Sequence, residues 1–366
     1  MAENVYDKSK LAFHKSKILA IKNGEITAPI YVRFKPTNRC NHACFYCSYK
    51  LDTNCRPGEV INQTDELPLG KTLETLLDFR DIGVKAVTYS GGGEPLIYPY
   101  INQAVQKTLE YGLDLSVITN GQKLNGRIAK LLTNAEWVRI SSGECNAKLF
   151  EEVRRRPQSW FYELAKNIET FAKIKGKDCE LGINFVVNKK NADTVYDAAV
   201  YFSRLGVNHI KFTPVYFPDF KEYHKDIKDN VVSQIKRARQ DLHKKGFVIY
   251  DTYDTDFSLS GIAERKYDHC PMMQVLPVVG ADANVYFCHD KAYSESGILG
   301  SIKHQSFREL WFSKETAKIF RNFNPAIGCK HHCNADSKNL LILQMVSDLG
   351  IIKSCKPKSE KHKNFI

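Results

Sequence analysis

No run of apolar residues in this chain approaches the roughly 18 needed to cross a bilayer. Its polar start, MAENVYDKSK, has none of the marks of a secretory signal. A soluble, cytoplasmic protein with no membrane partner is the expectation. Acidic residues are in short supply, with 41 Asp and Glu against 53 Lys and Arg and a formal net charge of +12. Such an excess can meet nucleic acid, a lipid surface or an anionic small molecule. Yet no recognisable nucleic-acid-binding motif accompanies it, and the basic residues are scattered along helical patterns except in Lys353 to Lys363, which reads as a solvated tail. Nucleic acid is therefore not the expected partner. The cytosol keeps disulfides reduced, so the 11 cysteines read as metal ligands and free thiols.

The 366 residues, 43% of them hydrophobic, can bury one large core and a smaller one. Residues 1–29 form a lead-in in which Leu11, Phe13, Ile18, Leu19 and Ile21 are free to pack. From Ile30 onward, strand and helix patterns alternate. Strands are expected at Ile30–Lys35, Ala86–Ser90, Leu115–Thr119, Trp137–Ser141, Leu181–Val187 and His209–Pro214, with helical stripes between them. Six strands joined by helices imply a parallel sheet with right-handed crossovers. The expected fold class is α/β, a partial (β/α)6 TIM-like barrel over 30–245. A small cysteine-bearing domain over 246–340 and a helix with a basic tail over 341–366 complete the division. In such folds the loops at the strand ends carry the chemistry. Ser48 to Gly70, long and polar, reads as a loop that covers this face.

The first expected strand delivers PTNRCNHACFYCSY, in which Cys40, Cys44 and Cys47 stand in C-x3-C-x2-C spacing. Thiolates are the ligands that iron-sulfur clusters and zinc select. Three of them leave one iron of a four-iron cubane open, whereas a structural zinc site is closed by four ligands. A zinc knuckle with His42 as the fourth ligand is the competing reading, and it would suit a zinc-stabilised nucleic-acid-binding protein.

The spacing, with Tyr46 before the last cysteine, resembles the radical S-adenosylmethionine (SAM) enzymes. So does Ser90-Gly91-Gly92-Gly93-Glu94-Pro95 at the end of the second expected strand, which matches that family's GGEP motif. The resemblance implies a 4Fe-4S cluster held by the three cysteines, SAM on its open iron, a 5'-deoxyadenosyl radical that abstracts a substrate hydrogen, and a flavodoxin- or ferredoxin-type electron donor. It places Gly92, Gly93 and Glu94 on the SAM amino group, Ser141 near the ribose and Asn188 as a further ribose contact. Thr119-Asn120-Gly121 matches a common family pattern and is also an ordinary turn.

A second constellation follows. Cys270 and Cys288 bracket Val275–Phe287, expected as a hairpin, and Cys329 and Cys333 follow a helix expected at Phe307–Phe323. The arrangement resembles the family's C-terminal auxiliary-cluster extension in its one-cluster "twitch" form, related to SPASM, since no C-x2-C pair precedes Cys329. One auxiliary 4Fe-4S cluster is implied. Cys355, His289, His331 and His332 stand as substitute ligands, zinc competes as the metal, and Cys55 and Cys179 have no evident partner.

The resemblance is nearly silent on the substrate. Period-two alternation groups Arg33 with Lys35 and Lys211 with Thr213. If these faces line the barrel they favour an anionic small molecule. Oxidation of a carbinol in a sugar, cyclitol or nucleotide-linked sugar suits a single closed auxiliary cluster. Modification of a peptide is the alternative, weakened by the lack of a peptide-recognition domain ahead of the barrel. Cys145 is a candidate hydrogen donor, which would give epimerisation, and Glu144 a candidate base.

Overall fold

Strands with one polar and one apolar face, alternating with amphipathic helices, bury their apolar side by carrying the helices on one surface of a parallel sheet. The computed structural model describes residues 5–49, 61–217, 219–242, 247–255, 264–330, 333–357 and 359–366. It shows one ten-stranded sheet in the order β10-β9-β8-β1-β2-β3-β4-β5-β6-β7. The strands are β1 Tyr31–Phe34, β2 Ala86–Tyr89, β3 Asp114–Thr119, β4 Trp137–Ser141, β5 Glu180–Val187, β6 His209–Pro214, β7 Val248–Asp251, β8 Val278–Val279, β9 Asn284–Tyr286 and β10 Ile298–Ser301. β1 to β7 pair in parallel, each with the next.

Alternation decides what each face meets. Val32, Phe34, Val87, Val138, Ile140, Ile183, Phe185 and Phe212 join the core under the helices. Arg33, Arg139, Asn184 and Lys211 instead line an interior cavity of about 480 Å³. All six expected strands are present and they form the partial barrel.

The second cysteine region is joined to that barrel rather than set apart. β7, inside the segment assigned to the small domain, extends the parallel run past β6. On the opposite edge β8 pairs in parallel with β1, Arg33 opposite Val278, and the β8-β9 hairpin and β10 continue outward. The expected boundary at 245/246 lies outside the described residues. The helix expected over Phe307–Phe323 is two, Phe307–Trp311 and Lys314–Asn322, because Ser313 caps the second through the Thr316 N–H.

In the long loop, Lys50 to Val60 lie outside the described residues. The stretch beyond them runs along the exit of β1, with the Leu67 N–H bonded to the Pro36 carbonyl at 2.9 Å and Asn38 Nδ2 to the Asn62 carbonyl at 3.0 Å. Both chain ends close the bottom of the barrel. Leu11, Ile18 and Ile21 share a core with Met272, Ile342, Met345, Phe365 and Ile366, while Leu19 is exposed. Residues 359–366 are therefore not a solvated tail. Phe365 meets the Tyr31 and Trp137 rings edge-on at 5.3 and 5.4 Å, His362 is buried, and Lys361 pairs with Glu180.

Candidate active site

The loop that carries Cys40, Cys44 and Cys47 is fastened on three sides. Its approach lies against the glycine turn, where the Gly93 N–H bonds to the Thr37 carbonyl and the Glu94 N–H to the Arg39 carbonyl at 2.8 Å. A Cβ on Gly93 would stand 1.9 Å from the Arg39 oxygen, and one on Gly92 2.3 Å from Asn38 Oδ1. Glycine is thus a steric requirement at both places. The middle of the loop rests on the helix Ala147–Arg154, with the Ala43 and Phe45 N–H groups on the Arg154 and Val153 carbonyls.

The third anchor is the Arg154 side chain, which sequence reasoning missed. Its guanidinium, 3% exposed, donates to Glu144 Oε1 at 2.9 Å, to the Ser141 carbonyl at 2.7 Å and to Cys44 Sγ at 3.3 Å. It also lies over the Tyr46 ring at 5.9 Å. Burial alone would lower its pKa, but Glu144, Tyr46 and Cys44 hold it well above the ordinary value. The only warning in the sequence was an Arg one position beyond a helical stripe that begins a turn after Glu144.

Glu94 is buried, and its carboxylate accepts from the Leu96 N–H, Thr119 Oγ1 and the Asn120 N–H. These bonds explain the Thr119-Asn120-Gly121 pattern, which secures β3 to the glycine turn. Burial raises the Glu94 pKa to about 7 against the lowering effect of the three bonds. A carboxylate has about four acceptor sites, so one remains for a bound ammonium. Ser141 ends β4 beside Asn184 of β5, and its carbonyl is the one that Arg154 binds.

Three expected roles do not match the geometry. Glu144, fully buried, binds Arg154 through one oxygen, and Ser142 Oγ and the Gly143 N–H through the other, so it orders the loop instead of taking a proton. The Cys145 thiol bonds to Thr194, its pKa raised by burial, and the residue packs against the helix-covered core rather than lining the cavity. Asn188 is held in its own turn, donating to the Val186 carbonyl and accepting from the Lys190 N–H, rather than presented to a ribose. His42, the zinc-knuckle candidate, is packed against the Phe150 and Trp160 rings.

Cys270, Cys288, Cys329 and Cys333 all line the cavity that Arg33, Arg139 and Lys211 line from the barrel. Burial pushes Cys270 and Cys333 up to about 12 and Cys288 well above its ordinary value, with Asp290 adding to the rise at Cys288 and Cys333 and neighbouring thiols contributing less. Cys40 is exposed on its loop, close to Cys44, Cys47 and Glu94. A bound metal centre would reverse the buried thiols' preference for the proton and hold the sulfurs as thiolates.

Each set also has a buried N–H aimed at one sulfur. Asn339 Nδ2, 3.3 Å from Cys270 Sγ, matches Arg154 on Cys44. Among the described residues no three His, Cys, Asp or Glu side chains close on a single ion. Thiolates are the donors that iron-sulfur clusters take, and in that respect both sets suit such a centre. Cys355 lies in the terminal core and is absent from the cavity lining, whereas His289 lines it beside Cys288. Cys179 is buried in the main core. His331, His332 and Cys55 lie outside the described residues.

The radical SAM superfamily model matches residues 34–227, and that of an iron-sulfur cluster-binding domain, SPASM, matches 270–334. A GTP 3',8-cyclase of Helicobacter pylori is 26% identical over 250 residues, 66% of this chain and 74% of the relative. A PqqA peptide cyclase of Methylorubrum extorquens is 36% identical over 284 residues, 70% and 67% of the two chains. Streptococcus suis SuiB, solved with its precursor peptide SuiA, shares the fold with a TM-score of 0.61 at 14% identity, covering 88% of this chain and 74% of that one. Among the described residues no helix is long and apolar enough to cross a membrane.

Proposed function

The chain belongs to the radical SAM superfamily, and from that premise we propose that it abstracts hydrogen from an anionic small molecule held in the barrel cavity, oxidising a carbinol of a sugar, cyclitol or nucleotide-linked sugar. Its cofactors are those of the family and its extension, a 4Fe-4S cluster that binds SAM, SAM itself and an auxiliary iron-sulfur cluster. When bound, they supply the hydrogen-abstracting radical and an acceptor for the electron that a carbinol releases on becoming a carbonyl.

In this reading Cys40, Cys44 and Cys47 hold the SAM cluster, and Cys270, Cys288, Cys329 and Cys333 the auxiliary one. Tyr46, the backbone of Gly92 and Gly93, the Glu94 carboxylate and Ser141 position SAM. A flavodoxin- or ferredoxin-type protein delivers the reducing electron. The observation that carries the proposal is the shared cavity, in which four thiols and the cations Arg33, Arg139 and Lys211 face one space of about 480 Å³. That volume suits a small molecule.

Neither relative is named for dehydrogenation. One is named for a nucleotide substrate, in keeping with a cationic cavity, and the other for a peptide. Peptide modification is accordingly the second reading, favoured by the 36% identity to the peptide cyclase.

The test is anaerobic turnover of the reconstituted enzyme with dithionite, SAM and candidate nucleotide sugars, cyclitol phosphates and peptides. Formation of 5'-deoxyadenosine with loss of about two mass units from a sugar or cyclitol, and return of a deuterium from borodeuteride, is the expected result. A two-unit loss from a peptide that borodeuteride does not reverse would replace the first reading with the second. No 5'-deoxyadenosine under any condition would overturn both.

A further inference from the structure

A buried cation without an anion costs several kcal/mol, so unpaired cations inside a protein mark a missing partner. Five cationic side chains line the cavity, Arg33, Arg139, Lys211, Arg265 and Lys338, against the carboxylates of Asp7 and Asp290. Most have company. Arg265 lies 3.6 Å from Asp336, Arg139 and Lys211 both meet Tyr6, and both Asp290 oxygens accept from Asn334. Asp7 Oδ1 accepts from the Ser9 N–H.

Arg33 and Lys338 differ from the rest. Arg33, in the middle of β1, has a buried Nε with no hydrogen-bond partner, as Arg139 does, but among the described residues its guanidinium makes no ion pair and no hydrogen bond at all. Lys338, on the helix Asp336–Ser347, likewise has no hydrogen bond or ion pair among the described residues. The two are near enough that the Arg33 charge, after burial, lowers the Lys338 pKa to about 8. Both line the one cavity, and neither has a carboxylate partner among the described residues, so together they form half of an anion-binding site.

We propose that Arg33 and Lys338 bind a phosphate or diphosphate group of the substrate, so that the cavity takes a phosphorylated small molecule. The inference rests on the cavity being the substrate site. Two unpaired charges match a phosphate dianion, whereas a single carboxylate would leave one of them unpaired. The guanidinium supplies the planar, two-point donor suited to phosphoryl oxygens, and the ammonium adds a point charge. Cys333 also bears on Lys338, so neutralising the auxiliary cluster is the rival role for this pair.

Calorimetric titration of the reconstituted holoenzyme with inorganic pyrophosphate, without SAM or reductant, separates these roles. The expected result is saturable binding that weakens about tenfold or more in both Arg33→Met and Lys338→Gln, with iron content unchanged and succinate binding much weaker. Wild-type protein that does not bind pyrophosphate, or binding untouched by both variants, overturns the proposal. Succinate binding as tightly as pyrophosphate overturns the phosphate assignment. Loss of auxiliary iron or a changed cluster spectrum with pyrophosphate binding intact would give the two cations to the cluster. The lysine sits on a half-exposed helix position and keeps the test usable if the strand variant fails to fold. SAM cleavage by the wild type is scored separately, so failure of the enzymatic reading and failure of this site are different results.

Discussion

Replacing Arg154 together with Glu144, as Arg154→Met/Glu144→Gln, should lower the reduction potential of the SAM-binding cluster while leaving the fold nearly as stable as before. The single variant Arg154→Met strands a carboxylate that is fully buried beside a 3% exposed partner. Breaking such a pair costs about 3–5 kcal/mol. In the double variant the amide keeps an acceptor for Ser142 or the Gly143 N–H, and no net charge is left behind, so most of that cost should vanish. What persists is loss of the N–H donor at 3.3 Å from Cys44 Sγ. A hydrogen bond to a charged group is worth about 1.5–3 kcal/mol, and reduction adds charge to the sulfurs it touches. If about half of the bond distinguishes the two oxidation states, the potential falls by about 30–65 mV, at 59 mV per tenfold for one electron. Potentiometric titration followed by electron paramagnetic resonance reads this directly, because only the cluster with an open iron changes its signal when SAM is added. A shift below about 15 mV, or an equal shift in the SAM-insensitive signal, would refute the assignment of Arg154 to that cluster.

Asn339→Ala is the mirror experiment, with its donor 3.3 Å from Cys270. It should shift the SAM-insensitive signal and spare the other. Gly93→Ala forces a methyl against the Arg39 carbonyl, next to Cys40. Anaerobic iron and sulfide analysis should show loss of about half the iron, from about eight per chain to about four, and unchanged iron would mean the turn yields easily. Glu94, raised to about 7 by burial, must be ionised to accept an ammonium. SAM affinity in equilibrium dialysis should therefore rise between pH 6 and 8 and level off above, and a flat profile would remove Glu94 from the SAM site. Glu180 is held at about 2, its burial outweighed by His209 and Lys361. Its stabilising contribution is fully present above the ordinary carboxylate value of 4.5 and is lost only as pH falls toward 2. Glu180→Gln should thus lower the anaerobic melting temperature equally at pH 8 and pH 6, and a cost that shrinks across that window would refute the ion pair.

The barrel was legible because its signal is repetitive. Apolar and polar residues alternate along β1, β4, β5 and β6 with the period of a strand, and helical stripes separate them. Lys211 and Arg139 fall on the cavity side for the same reason that Phe212 and Ile140 fall on the core side. β7 escaped notice because four residues, one of them the charged Asp251, carry little periodicity, and its place is decided by hydrogen bonding to β6. The tail was misread for a related reason. Lys361, His362 and Lys363 look solvated as a string, and only the fold brings Glu180 to Lys361 and the Tyr31 and Trp137 rings to Phe365. Cysteine spacing announced the first loop, whose three thiols are close in sequence, whereas the second set is spread over 270–333 and was legible through its pairing of Cys270 with Cys288 and Cys329 with Cys333. Arg154 and Asn339 were silent because each reaches its sulfur across the fold, 110 and 69 residues away.

Placing the second cysteine set on the sheet itself has a chemical consequence. β8 is bonded to β1, and Arg33 sits opposite Val278 in that pairing. The strand that leads into Cys40 therefore also positions Arg33, one of the cations that line the cavity with the second cysteine set. A shift of β1 along its axis would move the catalytic loop and the proposed phosphate site together, keeping the reacting carbon and the radical source in register. A flexible linker between two domains could not do this. The arrangement also explains why Gly92 and Gly93 must be bare. The β2 turn has to press against residues 38 and 39, which fixes β1 at its upper end while β8 fixes it along its length. Substitutions that loosen either attachment should raise the fraction of SAM cleaved without substrate turnover, since misalignment spares the radical source but not its target. Val279→Pro removes the β8 amide proton that the parallel register turns toward β1 and tests this attachment. The expected reading is a higher ratio of 5'-deoxyadenosine to product with SAM affinity unchanged, whereas an unchanged ratio would show that β8 does no more than cover an edge.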